Sequence, residues 1–308
     1  MNPQDQERIA DQIELAWQLA ERGAEDTAAL AFAQARTMVV SLAEPAAREH
    51  VVGNNVTALG REREQYRERI AGKRDGARRL LILGDSLGLP RPDDKGGSDK
   101  GAERTYPMLL LDRLPQHGVD SICQRFFTTR DIVDLLHADP ELGVESDVVL
   151  HIGLNDCANR MFLQSERLAL DLLPAETKDR IVGFAQKHRR LLLAELPSHH
   201  YVTPEVFTAN LSAILELLTQ RRARRVVVTT IILPPIRVWP ATPGIQRNFG
   251  RYNQMLMDIA HAHPSAVLFD LDRHVWARQH EGVLLPDGMH LSLAGHELFA
   301  DEVASLLA

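Results

Sequence analysis

The sequence predicts an α/β protein in which helices cover a parallel sheet, preceded by a helical extension. Short apolar runs begin only after Arg79, and they alternate with amphipathic segments as strands and helices do in such proteins. The runs are apolar on both faces, which is typical of parallel strands buried between two layers of helices. Before Arg79 the sequence has helical periodicity and no strand signal.

The N-terminal segment is the helical extension. Ile9, Ile13 and Ala16 recur at helical spacing. The dense Arg and Glu residues farther along are typical of a solvated helix face. We interpret residues 1–76 as a helical extension that either packs on the main domain or mediates assembly. Residues 77–308 are then the main domain.

The main domain begins with the first apolar run. Its predicted strands are Leu80–Leu83, a weaker Val119–Cys123, Asp147–Ile152, Val226–Leu233 and Ala266–Asp270. Its predicted helices are Tyr106–Leu114, Asp131–His137, Pro204–Thr219, Gly250–Ala262 and Leu293–Leu307. A charged helical insertion over residues 161–201 interrupts the alternation. We interpret it either as a cap over a site at the carboxyl ends of the strands or as a peripheral decoration.

Composition and charge exclude several classes of function. The chain has 308 residues, enough to bury a core without disulfides or metal. Its formal net charge of −7 provides no basic surface, so we expect no nucleic-acid partner. Cys123 and Cys157 are the two cysteines, too few for a disulfide framework. With no signal peptide and no long apolar run, the sequence predicts a cytoplasmic protein without a membrane span.

Three segments carry residues suited to nucleophilic catalysis. Ser86 follows the first strand, and Asp287 precedes His290 by three residues just before the last helix. A nucleophilic serine needs a histidine base, and the histidine needs a carboxylate that fixes its tautomer. Asn155 follows the third strand and offers an amide to a developing oxyanion, as does the backbone N–H of Ser86. The sequence therefore predicts a Ser86–His290–Asp287 triad with Asn155 as an oxyanion donor.

These segments resemble a known family. Blocks I, III and V of the SGNH (GDSL) hydrolases are similar to Gly84-Asp85-Ser86-Leu87, Gly153-Leu154-Asn155-Asp156 and Asp287-Gly288-Met289-His290, and the resemblance covers the chain from Arg79 to the end. It implies a three-layer α/β/α fold of flavodoxin-like type with a five-stranded parallel sheet. It also implies ester hydrolysis through an acyl-enzyme, with the same four residues in the roles given above.

Block II departs from the family pattern. The family usually has a glycine there, whose backbone N–H is the third oxyanion donor. This chain reads Gln-Arg-Phe-Phe-Thr-Thr-Arg-Asp over residues 124–131, and alignment on the Thr-Thr pair puts Phe126 at the glycine's position. A backbone N–H survives any side chain except proline, so Phe126 remains a candidate donor. Its side chain would crowd the acyl pocket or force another backbone conformation.

Each candidate also has an ordinary structural interpretation. Ser86 could cap a helix, Asn155 could bond its own turn, and His290 could bond the backbone at a helix start. The combination favours the catalytic interpretation. The pairs His199-His200 and His261/His263 have no carboxylate or third ligand at a recognisable spacing, so the sequence predicts no metal and no cofactor.

The sequence therefore predicts a serine esterase that removes a short, acetyl-like acyl group from a carbohydrate or small-molecule ester. An O-acyltransferase is the alternative, because the same triad serves whether water or another hydroxyl accepts the acyl group. A non-catalytic binding module on a hydrolase fold is the third hypothesis. Phe126 is its one support, while the intact Ser86, Asp287, His290 and Asn155 count against it.

Overall fold

The structure of the chain is a computed structural model that describes residues 1–70, 78–91, 104–196 and 199–308. The predicted boundary between residues 76 and 77 lies outside these residues. The chain divides into two units by its internal contacts, which we call the helical unit and the sheet unit. The helical unit is Met1–Ala58, Asn159–Tyr201 and Trp239–Ile245, and the sheet unit is Leu59–Ala158, Val202–Val238 and Gln246–Ala308.

The described residues of the sheet unit form five parallel strands, which are β1 (Arg78–Gly84), β2 (His117–Cys123), β3 (Asp147–His151), β4 (Val226–Thr229) and β5 (Ala266–Phe269). Their order is β2-β1-β3-β4-β5. The chain thus leaves β1 for one edge and returns to β3 on the other side of β1. A sheet of this order binds ligands at that switch point, beyond the carboxyl ends of β1 and β3. The predicted five-stranded parallel sheet is confirmed, including the weaker β2.

The described residues contain thirteen α-helices. They are α1 (Pro3–Glu21), α2 (Glu25–Ser41), α3 (Pro45–Ile70), α4 (Tyr106–Arg113), α5 (Thr129–Ala138), α6 (Leu154–Cys157), α7 (Gln164–Ala169), α8 (Ala175–Lys187), α9 (Arg189–Glu195), α10 (Pro204–Gln220), α11 (Ile245–Ala262), α12 (Leu271–Ala277) and α13 (Leu293–Leu307). The five helices predicted for the main domain correspond to α4, α5, α10, α11 and α13. Helix α11 begins at Ile245 rather than at Gly250.

One layer of the core lies between the sheet and helices α4 and α13. Leu80, Ile82 and Val149 of the strands are fully buried there, together with Tyr106 of α4 and Phe299 of α13. Burying side chains of this size stabilises the fold by about 1.5–3 kcal/mol each. This layer holds β1 and β3, which carry the switch point, in a fixed register.

The last turns of α3 pack into the same core. Tyr66 and Ile70 are buried among the residues of the sheet core. Between them, Arg67 forms a two-pronged ion pair with Asp120 of β2, with N···O distances of 2.7 and 2.6 Å. Helix α3, which belongs to the predicted helical extension, therefore ends inside the sheet unit.

The helical unit has a separate hydrophobic core. Ile13 of α1, Phe32 of α2 and Phe184 of α8 are fully buried in it, and the Phe32 and Phe184 rings stack with centroids 5.4 Å apart. Arg36 and Glu166 form a buried ion pair at 3.1 Å. The N-terminal helices thus share a core with helices of the 161–201 stretch, which the sequence analysis treated as separate. None of the helices in the described part of the chain has the length and apolar character needed to cross a membrane.

Candidate active site

The turn after β1 presents Ser86. Ser86 begins a short 3₁₀ turn, and the preceding Asp85 accepts a hydrogen bond from the N–H of Leu87 at 2.9 Å. The N–H of Asp85 donates to the carbonyl of His151 at the end of β3, at 3.3 Å. A side chain at Gly88 would collide with Cys123 and Tyr106, so only glycine allows the turn to pack this closely. The Ser86 side chain is half-buried at the switch point.

The structure brings Ser86, His290 and Asp287 into one hydrogen-bonded chain. Ser86 Oγ lies 3.2 Å from His290 Nε2, and His290 Nδ1 lies 2.7 Å from Asp287 Oδ2. Because a carboxylate only accepts, Asp287 selects the tautomer with the proton on Nδ1. Nε2 is then unprotonated and can take a proton from the Ser86 hydroxyl. This arrangement can make a serine nucleophilic.

The triad loop, residues 285–290, holds the carboxylate in place. Asp287 Oδ1 accepts the N–H groups of Met289 and His290 at 2.9 and 3.0 Å. Arg91 donates to Asp287 Oδ2 at 2.6 Å. Burial opposes the ionisation of Asp287, but the hydrogen bonds from the His290 ring and from these N–H groups outweigh it and hold the pKa of the carboxyl well below its usual value. Nothing in the local sequence marks Arg91, so it is not among the site residues predicted above.

Asn155 lies on the short helix α6 directly after β3. Gly153, which caps this helix, has φ +116, and a Cβ on it would lie 2.7 Å from Ile231 Cδ1. Only glycine is compatible with both that conformation and that contact. The Asn155 Nδ2 group donates to the Phe127 carbonyl at 2.9 Å. This bond fixes the orientation of the Asn155 amide, whose nitrogen carries two donor hydrogens.

Phe126 has a left-handed backbone, with φ 67. This conformation costs a residue with a side chain about 1–2 kcal/mol, whereas glycine adopts it readily. The sequence analysis assigned Phe126 to the position where the family has glycine. The chain therefore keeps a glycine-like backbone at a position occupied by phenylalanine. The Phe126 side chain is half-buried.

Asp156 joins the two segments that carry Asn155 and Phe126. It is fully buried and accepts the backbone N–H of Thr129 at 3.0 Å and the Thr129 hydroxyl at 2.6 Å. Burial raises the pKa of Asp156 to about 6, although both hydrogen bonds oppose the shift. We call residues 126–129 and 153–156 the Asn155 corner. Asp156 and Thr129 lie within two of the segments compared with the family above, but their contact is not predictable from the sequence.

Two buried histidines lie behind the nucleophile turn. His151 Nδ1 is 3.2 Å from the Tyr106 hydroxyl, and His296 Nδ1 accepts the Tyr106 backbone N–H at 3.2 Å. Burial lowers the pKa of each histidine to about 3, with a further contribution from His296 on His151 and from His290 on His296. Both rings are therefore neutral near pH 7, and they support the turn without adding charge.

The remaining candidates lie outside this arrangement. Cys123 and Cys157 are buried thiols that form no disulfide, and burial raises the pKa of Cys123 to about 12. His199 Nε2 lies 2.9 Å from an Arg36 guanidinium nitrogen in the helical unit. Within the described ranges, no group of three His, Cys, Asp or Glu side chains is placed to hold a metal ion.

The family model described as "GDSL-like Lipase/Acylhydrolase family" matches residues 82–298. No curated protein matches the sequence significantly.

Solved structures similar to this chain include three enzymes. The lipase/acylhydrolase from Enterococcus faecalis has a TM-score of 0.50 at 17% identity, over 75% of this chain and 95% of that one. LAE5, an alpha/beta hydrolase from the metagenome of Lake Arreo, has a TM-score of 0.49 at 20% identity, over 75% and 94%. The acetylxylan esterase Axe2 from Geobacillus stearothermophilus has a TM-score of 0.47 at 19% identity, over 76% and 95%. The first of these shows a shared fold.

Proposed function

The chain belongs to the GDSL-like lipase/acylhydrolase family, and from that premise we propose that it is an esterase that removes a short, acetyl-like acyl group from a carbohydrate or small-molecule ester through an acyl-enzyme on Ser86. Membership confirms the family predicted from the three sequence blocks and makes the chain a serine hydrolase. The observation that carries the proposal is the hydrogen-bonded chain from Ser86 through His290 to Asp287.

The proposed reaction has two halves. Ser86 Oγ attacks the ester carbonyl while its proton passes to His290 Nε2, and the resulting imidazolium is stabilised by Asp287. The imidazolium then gives the proton to the departing alcohol, which leaves an acyl-serine. In the second half, His290 takes a proton from water, the hydroxide attacks the acyl carbonyl, and the Ser86 hydroxyl is restored.

The oxyanion of each tetrahedral intermediate needs preorganised donors. We assign these to Asn155 Nδ2 and to the backbone N–H groups of Ser86 and Phe126. The support for Asn155 is its bond to the Phe127 carbonyl, which fixes the amide before substrate arrives. The support for Phe126 is its glycine-like backbone. Fixed donors of this kind typically contribute about 10²–10³ to kcat each.

The proposed preference for short acyl groups depends on Phe126. A phenylalanine at the position of a glycine fills space next to one of the assigned oxyanion donors, where the acyl group of the substrate would lie. A carbohydrate or small-metabolite alcohol is the proposed leaving group, and transfer of the acyl group to another hydroxyl is the competing outcome. Product analysis separates the two, because hydrolysis releases the free acid and transfer gives an acylated acceptor.

The first test is covalent labelling with a fluorophosphonate, combined with turnover of p-nitrophenyl esters from acetate to laurate. We expect labelling of the wild type, its loss in Ser86→Ala, and best turnover at acetate. Ser165→Ala is the matched control, because Ser165 is an exposed serine on α7 that should leave labelling unchanged. A wild-type protein that is neither labelled nor active would exclude the proposal, and best turnover at laurate would exclude the short-acyl preference.

A further inference from the structure

We propose that Arg91 is a positioning residue that sets the pH range in which the triad operates, because it shares one oxygen of Asp287 with His290. The inference builds on the proposed function of the triad and concerns a residue outside the three family blocks. Arg91 Nη1 donates to Asp287 Oδ2 at 2.6 Å, and His290 Nδ1 lies 2.7 Å from the same oxygen.

The hydrogen bonds around Asp287 use its full capacity. A carboxylate has about four lone-pair sites. The N–H groups of Met289 and His290 occupy Oδ1, while the His290 ring and Arg91 occupy Oδ2. The backbone donors and Arg91 therefore fix the carboxylate, and His290 is oriented by a group that cannot rotate away.

Sharing the oxygen brings two cations close together whenever His290 is protonated. The Arg91 nitrogen and His290 Nδ1 both touch Oδ2, so they can be no farther apart than the sum of their distances to it, about 5.3 Å. The guanidinium is always charged. It repels the imidazolium and draws on the same carboxylate charge that would stabilise it. Arg91 therefore favours the neutral imidazole, which is the form that can act as a base.

Two other ionisable groups in the described part of the chain lie near this arrangement, and neither provides the effect. His296 of α13 is near His290, but it is buried and neutral in the working range because burial lowers its pKa to about 3. Arg237, on the turn Ile236–Ala241, donates to the neutral carbonyl of Pro286 at 3.1 Å rather than to Asp287. Ser86, whose Oγ lies 3.2 Å from His290 Nε2, is uncharged. Among the residues that the structure describes, Arg91 and Asp287 are the charged side chains hydrogen-bonded within this chain.

The experiment measures kcat/KM for p-nitrophenyl acetate between pH 4 and 9 in the full chain. Arg91→Gln removes the charge, so His290 should hold its proton to higher pH, and the acid limb should move up by about half a unit to one unit. Arg91→Lys keeps the charge and should restore most of the wild-type profile. Arg237→Gln is the matched control, an exposed arginine on the neighbouring turn, and should leave the acid limb in place. An unmoved limb in Arg91→Gln would overturn the inference.

A second readout does not depend on turnover. The titration of the His290 ring, followed by NMR in Ser86→Ala with and without Arg91→Gln, should show the same upward shift. High salt should reduce the difference between the two proteins, because it screens partly exposed charges. If the wild type neither turns over nor labels, the proposed function fails while this titration still decides the role of Arg91. If the wild type is active and the ring titrates identically in both proteins, only the inference about Arg91 fails.

Discussion

The triad loop and the Asn155 corner hold their carboxylates in opposite ways. In the triad loop, Asp287 is 36% exposed in its side chain and is bonded to residues two and three positions along the chain. In the Asn155 corner, Asp156 is fully buried and its partner Thr129 is 27 positions away. Hydrogen bonds lower the pKa of the first, whereas burial raises that of the second to about 6. The triad loop is therefore organised locally for chemistry, and the corner is organised by the tertiary fold.

The largest expected effect comes from Asp287→Asn, which removes the carboxylate of the triad loop. The asparagine amide can donate to His290 Nδ1, which favours the tautomer with its proton on Nε2, facing Ser86. That tautomer cannot accept the serine proton, so kcat should fall on the order of 10³- to 10⁴-fold. At neutral pH the variant also loses the stabilising contribution of the ionised carboxylate, whose lowered pKa reflects its hydrogen bonds, so the melting temperature should fall as well. Ester turnover and a thermal melt of the same sample check both expectations.

Turnover of Asp287→Asn within tenfold of the wild type would contradict the comparison, since it would show that the triad loop does not organise the chemistry. Ser292→Ala provides a matched control near the loop. Ser292 caps α13 by accepting the N–H of Gly295 at 3.2 Å, so its loss should cost about 1 kcal/mol of stability and little activity.

Asp156→Asn replaces the buried carboxylate of the Asn155 corner. Its effect should appear in how the free energy of unfolding depends on pH. The raised pKa of Asp156 means that the folded state binds the proton more tightly than the unfolded state, whose value is near 3.8. Its contribution to folding is therefore fully present below about pH 4 and is lost as the pH rises through about 6. Asparagine carries no charge, so the variant should not lose stability as the pH rises through about 6. Its free energy of unfolding should therefore rise relative to that of the wild type by up to about 3 kcal/mol between pH 4 and pH 7.

Urea unfolding at pH 4, 5, 6 and 7 measures the difference. Asp287→Asn is the control of opposite sign, because a carboxyl with a lowered pKa loses its stabilising contribution only as the pH falls through that low value. Its stability difference from the wild type should stay level over this range. A level difference for Asp156→Asn as well would show that Asp156 is ionised in the folded protein at pH 4.

The same contrast explains how far the sequence predicts this molecule. The triad loop is predictable from the sequence because Asp287 and His290 lie three residues apart and form a hydrogen bond across that short span. The sheet is predictable because β1, β3, β4 and β5 each contain a short uninterrupted apolar run, whereas β2 includes polar residues and gives a weaker signal. The bond between Asp156 and Thr129, and the shared core of the N-terminal helices with α7–α9, join segments far apart in the chain. No local spacing encodes such contacts. Arg91 is similar, because its partner is 196 positions away.

Phe126 is only partly predictable from the sequence. The smallest of the predicted effects tests its backbone conformation. The sequence marked the position as unusual, but only the backbone reveals the left-handed φ of 67. At an ordinary site glycine is less stable than alanine by about 0.5–1 kcal/mol. At a left-handed site alanine bears a cost of about 1–2 kcal/mol that glycine avoids. Phe126→Gly should therefore be more stable than Phe126→Ala by about 0.5–1 kcal/mol, because both lose the same aromatic ring.

Asp134, exposed in the middle of α5, supplies the matched control pair. There the free energy of unfolding should be about 1 kcal/mol higher for Asp134→Ala than for Asp134→Gly, which is the ordinary order in a helix. Urea unfolding of the four variants gives both differences. If alanine is also the more stable replacement at position 126, the backbone there is not left-handed in solution, and the third oxyanion donor loses its support. If glycine is the more stable one, both Phe126 variants should also accept longer acyl chains than the wild type, because the conformation persists while the ring that crowds the acyl group is gone.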